Sequence, residues 1–147
     1  MGTEENKAIV RRLFEEVWNK GNTAVVDELI GPNCVVSWTD TAYVHGTEEY
    51  KQFVASIRTT YPDWNLEIDE MIAEGDTVVV RSRFRGTHLG TLVNAILGTI
   101  PPTGKQVRST GIYIYRIAGG KIMDNWILTD VLGVGRQLGA IPPAPAQ

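Results

Sequence analysis

Asp130 and His88 are the residues of this 147-residue chain whose type and setting point most directly to chemistry. Asp130 closes the stretch 122–130, which reads as a strand. Strand parity puts Asp124, Trp126, Leu128 and Asp130 on one face and Met123, Asn125, Ile127 and Thr129 on the other. If Trp126 and Leu128 line an interior, Asp130 points into it near the strand end. Partial loss of hydration there raises a carboxylate's pKa and suits it to accept a proton near neutral pH. In the run Asp130-Val131-Leu132-Gly133 the same side chain could instead cap the following turn, and spacing alone leans to the cap. His88, in Gly86-Thr87-His88-Leu89-Gly90, could donate to a substrate carbonyl or relay a proton. It could equally be an exposed turn residue, and spacing does not separate the two. His45 lies in a polar loop and is assigned no chemical part. Arg81, Arg83 and Arg85 share one strand face and read as a solvated or subunit-facing surface, unless a bulge turns one inward.

Other chemistries lack their residues. There is no P-loop, GxGxxG, CxxC or HExxH pattern. Two histidines and one cysteine, far apart, do not make a transition-metal site. Cys34 reads as a small buried hydrophobe. No metal site is therefore expected. A formal net charge of -3 without a basic stripe argues against nucleic acid. No apolar run approaches the ~20 residues that span a bilayer. The opening MGTEENKAIVRR lacks the basic start and apolar core of a secretion signal. A cytoplasmic protein without a membrane partner is expected.

The elements that must position these residues come in a telling order. Ile9, Val10, Leu13, Phe14, Val17 and Trp18 recur at helical spacing over about 3–20, with Thr3 as N-cap and Gly21 as the stop. Asn22 caps a short second helix with Val25, Val26, Leu29 and Ile30 inward, and Cys34 to Trp38 reads as a strand. A third helix over about 47–60 carries Tyr50, Phe53, Val54 and Ile57. After Pro62 the period becomes two. Strands are expected from Trp64, over 77–86, over 107–117 and over 122–130, with hairpin turns at Glu74-Gly75-Asp76 and Gly119-Gly120. A short helical or irregular cap follows to Ala140, then a frayed tail from about 141. Helices first and antiparallel strands later imply one α+β domain over 1–147, its helices packed on a curved, mainly antiparallel sheet. Such a sheet forms a cone whose open end is a pocket. Among the strand aromatics Trp38, Tyr113, Tyr115 and Trp126, one or two could line it.

Several stretches resemble the SnoaL-like polyketide (ester) cyclase family: Asn6, Lys7 and 13–22; Gly86-Thr87-His88; Ile100-Pro101-Pro102-Thr103-Gly104-Lys105; and Gly120-Lys121-Ile122 with Trp126, Asp130, Leu132-Gly133 and Leu138-Gly139. The resemblance spans 6–140. It implies the cone-shaped fold of nuclear transport factor 2 and ketosteroid isomerase, a homodimer packed through its sheets, and cofactor-free acid/base catalysis. In characterised cyclases an aspartate deprotonates an activated methylene for aldol ring closure. On this resemblance Asp130 is the base and His88 the pocket histidine that polarises a carbonyl. Trp126, Trp38 and Tyr113 then shape a pocket for a hydrophobic small molecule, with Ser37, Leu128 and Phe53 as further contacts. Ser37 stands where many members carry a histidine. The segment 89–100 is longer than usual, and its Leu92, Val93, Ile96 and Leu97 suggest a short helix over the pocket mouth, or an extension of the core or of a subunit contact. Two other functions fit the fold. Epoxide hydrolysis of the limonene-epoxide-hydrolase type would need Asp130, Asp124 and Arg81 or Arg83 around one water. Binding without catalysis would leave Asp130 exposed or locked in a cap.

Overall fold

The computed structural model describes residues 2–38 and 41–146. Helix α1 (Thr3–Arg12) runs on into a wider π-helical segment, Leu13–Asn19, so that one continuous apolar face carries Val10, Leu13, Phe14, Val17 and Trp18 into the core. Gly21, at φ 71°, ends it, letting its own amide and that of Asn22 close on the Val17 and Glu16 carbonyls. The cap residue is Gly2, with no side-chain cap, and Thr3 is already helical. A 3₁₀ turn (Thr23–Val25) and helix α2 (Val26–Leu29) follow, again without a cap bond from Asn22. Helix α3 (Gly46–Thr60) begins with the Glu49 carboxylate accepting from the His45 amide at 3.0 Å, which closes its first turn.

Strands β1 (Ile30–Trp38), β2 (Thr41–His45), β3 (Asn65–Glu74), β4 (Thr77–Thr87), β7 (Gln106–Ala118) and β8 (Lys121–Thr129) form one sheet, in the order β2-β1-β8-β7-β4-β3. β1 and β8 pair in parallel, and the other neighbours in this sheet pair antiparallel. The two hairpin turns lie where Gly75 and Gly119-Gly120 put them, and β2 forms in what reads as a polar loop. On β4 the alternation is plain: Val78, Val80, Ser82 and Phe84 are buried, while Arg81, Arg83 and Arg85 are exposed. The sheet curves around the helices, and helix α4 (Val131–Gln137) packs against β7, with Val131 and Val134 facing the space the sheet encloses. Residues 142–146 have no regular structure and are exposed.

The chain departs further from expectation at segment 89–100 and on β8. Segment 89–100 is not helical but a hairpin, β5 (Leu92–Asn94) paired with β6 (Gly98–Ile100). The Asn94 side chain accepts from the Ile96 and Leu97 amides, each at 2.8 Å, and Gly98 takes φ 78°. This local turn chemistry outweighs the apolar spacing. The parity of β8 also differs. Ile117 pairs with Ile122 but Arg116 pairs with Asp124, so Met123 is an extra residue. Its side chain occupies the space left by Gly31, where a Cβ would lie 2.6 Å from the Met123 sulfur. Beyond this bulge every β8 side chain sits on the face opposite to that expected from a simple Gly119-Gly120 hairpin. Asn125, Ile127 and Thr129 point inward, whereas Trp126 and Leu128 lie outside, Leu128 at 45% exposure.

Candidate functional site

Between the helices and the concave face of the sheet lies a cavity of about 1070 Å³, at the upper end of small-molecule sites. Its walls are aromatic. Trp18, Tyr43, Phe53, Trp64 and Tyr113 line it, with Trp38 and Thr129 at the end of the sheet. Edge-to-face contacts of Phe53 with Trp18 (5.1 Å) and with Tyr43 (5.3 Å) hold these rings in fixed orientations. Polar groups enter in two places. Glu49, Gln52 and Ser56 form a stripe along α3, and Asn94 and Thr129 come from the hairpin and from β8. Hairpin residues 92–97 border the opening, where Val93 and Ile96 stand 78% and 61% exposed.

Trp38, Tyr113 and Phe53 thus share this cavity. Trp126 and Leu128 do not, because of the Met123 bulge, and Ser37 faces away with Val35 while Cys34, Val36 and Trp38 turn inward. Trp38 Nε1 donates to Thr129 Oγ1 at 3.2 Å, fixing the hydroxyl that ends the inward face of β8. Asp130 comes next, between two cavity-lining neighbours, Thr129 and Val131. It is exposed, and its Oδ1 accepts from the Gly133 amide at 2.9 Å as the N-cap of α4. Gly133 makes the cap possible, since a Cβ there would lie 2.2 Å from the carboxylate. The capping geometry is therefore the one adopted.

His88 does not reach the cavity. It is completely buried behind Tyr61, 6.0 Å away ring to ring. Its Nδ1 accepts the Thr103 amide at 3.2 Å and contacts Thr103 Oγ1 at 2.9 Å, so the ring proton is assigned to Nε2. Its own amide and carbonyl bond Lys105 and Gly104, each at 2.9 Å. The Gly86-Thr87-His88 and Pro101-Pro102-Thr103-Gly104-Lys105 stretches therefore hold each other. Burial lowers the His88 pKa and keeps the imidazole neutral.

The charged residues do not converge. Arg83 grips Asp69 with two hydrogen bonds, Nε to Oδ2 at 2.8 Å and Nη2 to Oδ1 at 2.9 Å, on the outer face of β3 and β4. Arg81 reaches Asp69 and Glu70 on the same face, and Arg116 pairs with Asp124 on β7 and β8. Among the described residues no Asp–Arg–Asp cluster forms around Asp130: Asp124 pairs with Arg116, and Arg81 and Arg83 pair with residues of β3. Cys34 is buried and its thiol is pushed up to about 12, so it is inert. Among the described residues no group of three or more His, Cys, Asp or Glu side chains could hold a metal, and no helix is long and apolar enough to cross a membrane.

The fold and cavity define a cone-shaped α+β protein with one open-mouthed aromatic cavity among its described residues. Residues 8–138 match the SnoaL-like polyketide cyclase family, and the chain belongs to that family. Nogalonic acid methyl ester cyclase of Streptomyces nogalater is 31% identical over 125 residues, covering 83% of this chain and 89% of that protein. Among solved structures, a SnoaL-like protein of Jannaschia sp. CCS1 superposes with a TM-score of 0.84 at 27% identity, over 95% of each chain. TsrD of Streptomyces laurentii gives a TM-score of 0.82 at 25% identity, over 96% of this chain and 99% of its own.

Proposed function

We propose that this protein is a cofactor-independent cyclase that closes a ring in a flat, hydrophobic, carbonyl-rich molecule held in the cone. The observation that carries this reading is the large aromatic cavity whose inward strand face, Ile127 and Thr129, runs directly into Asp130. Asp130 is the general base. It removes a proton from a methylene flanked by carbonyls, the carbanion attacks a second carbonyl of the same molecule, and the new alkoxide takes a proton back. No oxidant is needed. To reach the cavity the carboxylate must leave its cap, at a cost of about 1–2 kcal/mol. A positioned base contributes roughly 10²–10⁴ in rate, or about 3–5 kcal/mol. The exchange is therefore favourable once substrate is bound. The hairpin 92–97 is the candidate cover that excludes water during the reaction. A homodimer joined through the outer sheet face, where Trp126 and the half-exposed Leu128 lie, completes the proposal.

Nogalonic acid methyl ester is the first substrate to try, since it names the 31% identical relative. Ring closure by the wild type and its loss in Asp130→Asn is the expected result. A second reading has an observation of its own. The Asp130 carboxylate points to solvent and caps α4, as a domain that only binds its ligand would allow. Binding of the ester without conversion would select that reading.

A further inference from the structure

Ring closure builds negative charge on a substrate oxygen, first as an enolate and then as an alkoxide. A donor must meet it, and His88 is walled off from the cavity. We propose that Tyr113 is a catalytic residue, its phenol O–H donating to that oxygen while Asp130 moves the proton. This assignment rests on the cyclase reading and names the group that reading leaves unfilled.

Tyr113 lies on the inward face of β7, lines the cavity and is 8% exposed. Its ring is fixed by stacking on Tyr115, nearly parallel at 10° and 6.5 Å between centroids, and by an edge contact with Phe14 at 5.7 Å. Such a ring is already oriented before substrate arrives, so little is lost to reorganisation. Its tip is placed by an absence. At Gly111, two residues back on the same strand, a Cβ would lie 3.0 Å from the Tyr113 hydroxyl and 2.9 Å from its ring. The phenol therefore lies over Gly111, whose cross-strand partner is Thr129, the residue before Asp130. The Asp130 amide in turn reaches the Thr110 carbonyl at 3.4 Å. Phenol, Thr129 hydroxyl and Asp130 thus belong to one rung of the sheet and its neighbour. Among the described residues none hydrogen-bonds the Tyr113 hydroxyl. Burial raises its pKa, so the group remains a donor at working pH and is no base.

Two variants separate this role from packing. Tyr113→Phe keeps the ring and loses the O–H. Gly111→Ala keeps the O–H and displaces it. The probe is 1,2-dihydroxyanthraquinone, a flat dye whose visible absorbance distinguishes phenol from phenolate, titrated with pH in the presence of saturating protein. The wild type should lower the bound dye's pKa relative to Tyr113→Phe, giving about tenfold more ionised dye at a given pH. Gly111→Ala should lose most of that effect, and Asp130→Asn should retain it. On a substrate that turns over, Tyr113→Phe should lower kcat roughly 10²–10³-fold with KM little changed. Equal dye ionisation in wild type and Tyr113→Phe, or no dye bound by the wild type, overturns the assignment. If the ester proves unreactive while the dye shift persists, the cyclase reading fails and the donor assignment survives as a ligand contact.

Discussion

Asparagine caps a helix as well as aspartate does, so Asp130→Asn separates the cap seen at this position from the proposed role as base. The variant should melt within about 1 °C of wild type, while a base role predicts lost turnover. Asp130→Ala removes both roles and should also cost about 1 kcal/mol in stability, measurable by urea denaturation. His88 supplies a pH signature. Its folded pKa is lowered, so below about 6.5, the ordinary imidazole value, the unfolded chain takes up a proton that the folded chain does not. Stability is therefore complete above that value and declines as the pH falls towards the lowered folded value. Replacing His88 by Asn should flatten stability between pH 5 and 7, as read from urea midpoints. Asp63 contributes separately and lower on the scale. Hydrogen bonds from the Thr87 hydroxyl and amide lower its pKa, so its stabilisation is present above about 3.9, the ordinary aspartate value, and is lost in stronger acid.

Among the elements, β8 decides which side chains face the cavity, and it does so through one extra residue. The Met123 side chain nests on Gly31, so Gly31→Val should force it out and destabilise the protein by about 1–3 kcal/mol, seen as a lowered urea midpoint. Unchanged stability would mean that the bulge is not held there. The same bulge explains where the sequence is legible and where it is not. The helices could be read because Val10, Leu13, Phe14, Val17 and Trp18 repeat at one period. Strands and turns could be read from Gly75, Gly119-Gly120 and the alternation on β4. The inward face of β8 could not be read, because apolar residues stand on both faces: Ile127 inside, Trp126 and Leu128 outside. A signal existed in the next strand. Once Tyr113 and Tyr115 face inward, a choice remains between Trp126 and Ile127 opposite Tyr113, and a bulge selects Ile127. The hairpin at 92–100 was hidden differently, since its turn depends on Asn94 and Gly98 rather than on hydrophobic period. His88, expected in the pocket, lies outside it, and the sequence held no sign of that. Its partner Thr103 is fifteen positions away and is joined to it only by folding.

For the whole molecule, the cavity of about 1070 Å³ is the dominant feature. A ligand that fills it binds only the folded chain. At a hundredfold excess over its Kd it should stabilise the protein by about 2.7 kcal/mol, raising the melting temperature by roughly 5–10 °C. Scanning calorimetry with flat hydroxylated anthraquinones tests this; small monocyclic phenols, which leave most of the space unfilled, should do much less. The outer face of the sheet, with Leu128 half-exposed beside Trp126, predicts a dimer in sedimentation equilibrium. Leu128→Glu should shift that dimer towards monomer without opening the cavity on the opposite face.

Under the proposed function the cone closes a ring and Asp130 begins the reaction. This is tested most directly by following the ester's conversion, by absorbance and by product mass, with wild-type protein and with Asp130→Asn matched for fold and for ligand affinity. The wild type should form an isomer of unchanged mass, and the variant should form it at least about a hundredfold more slowly. Equal rates for the two proteins, or a bound ester that neither converts, would contradict it.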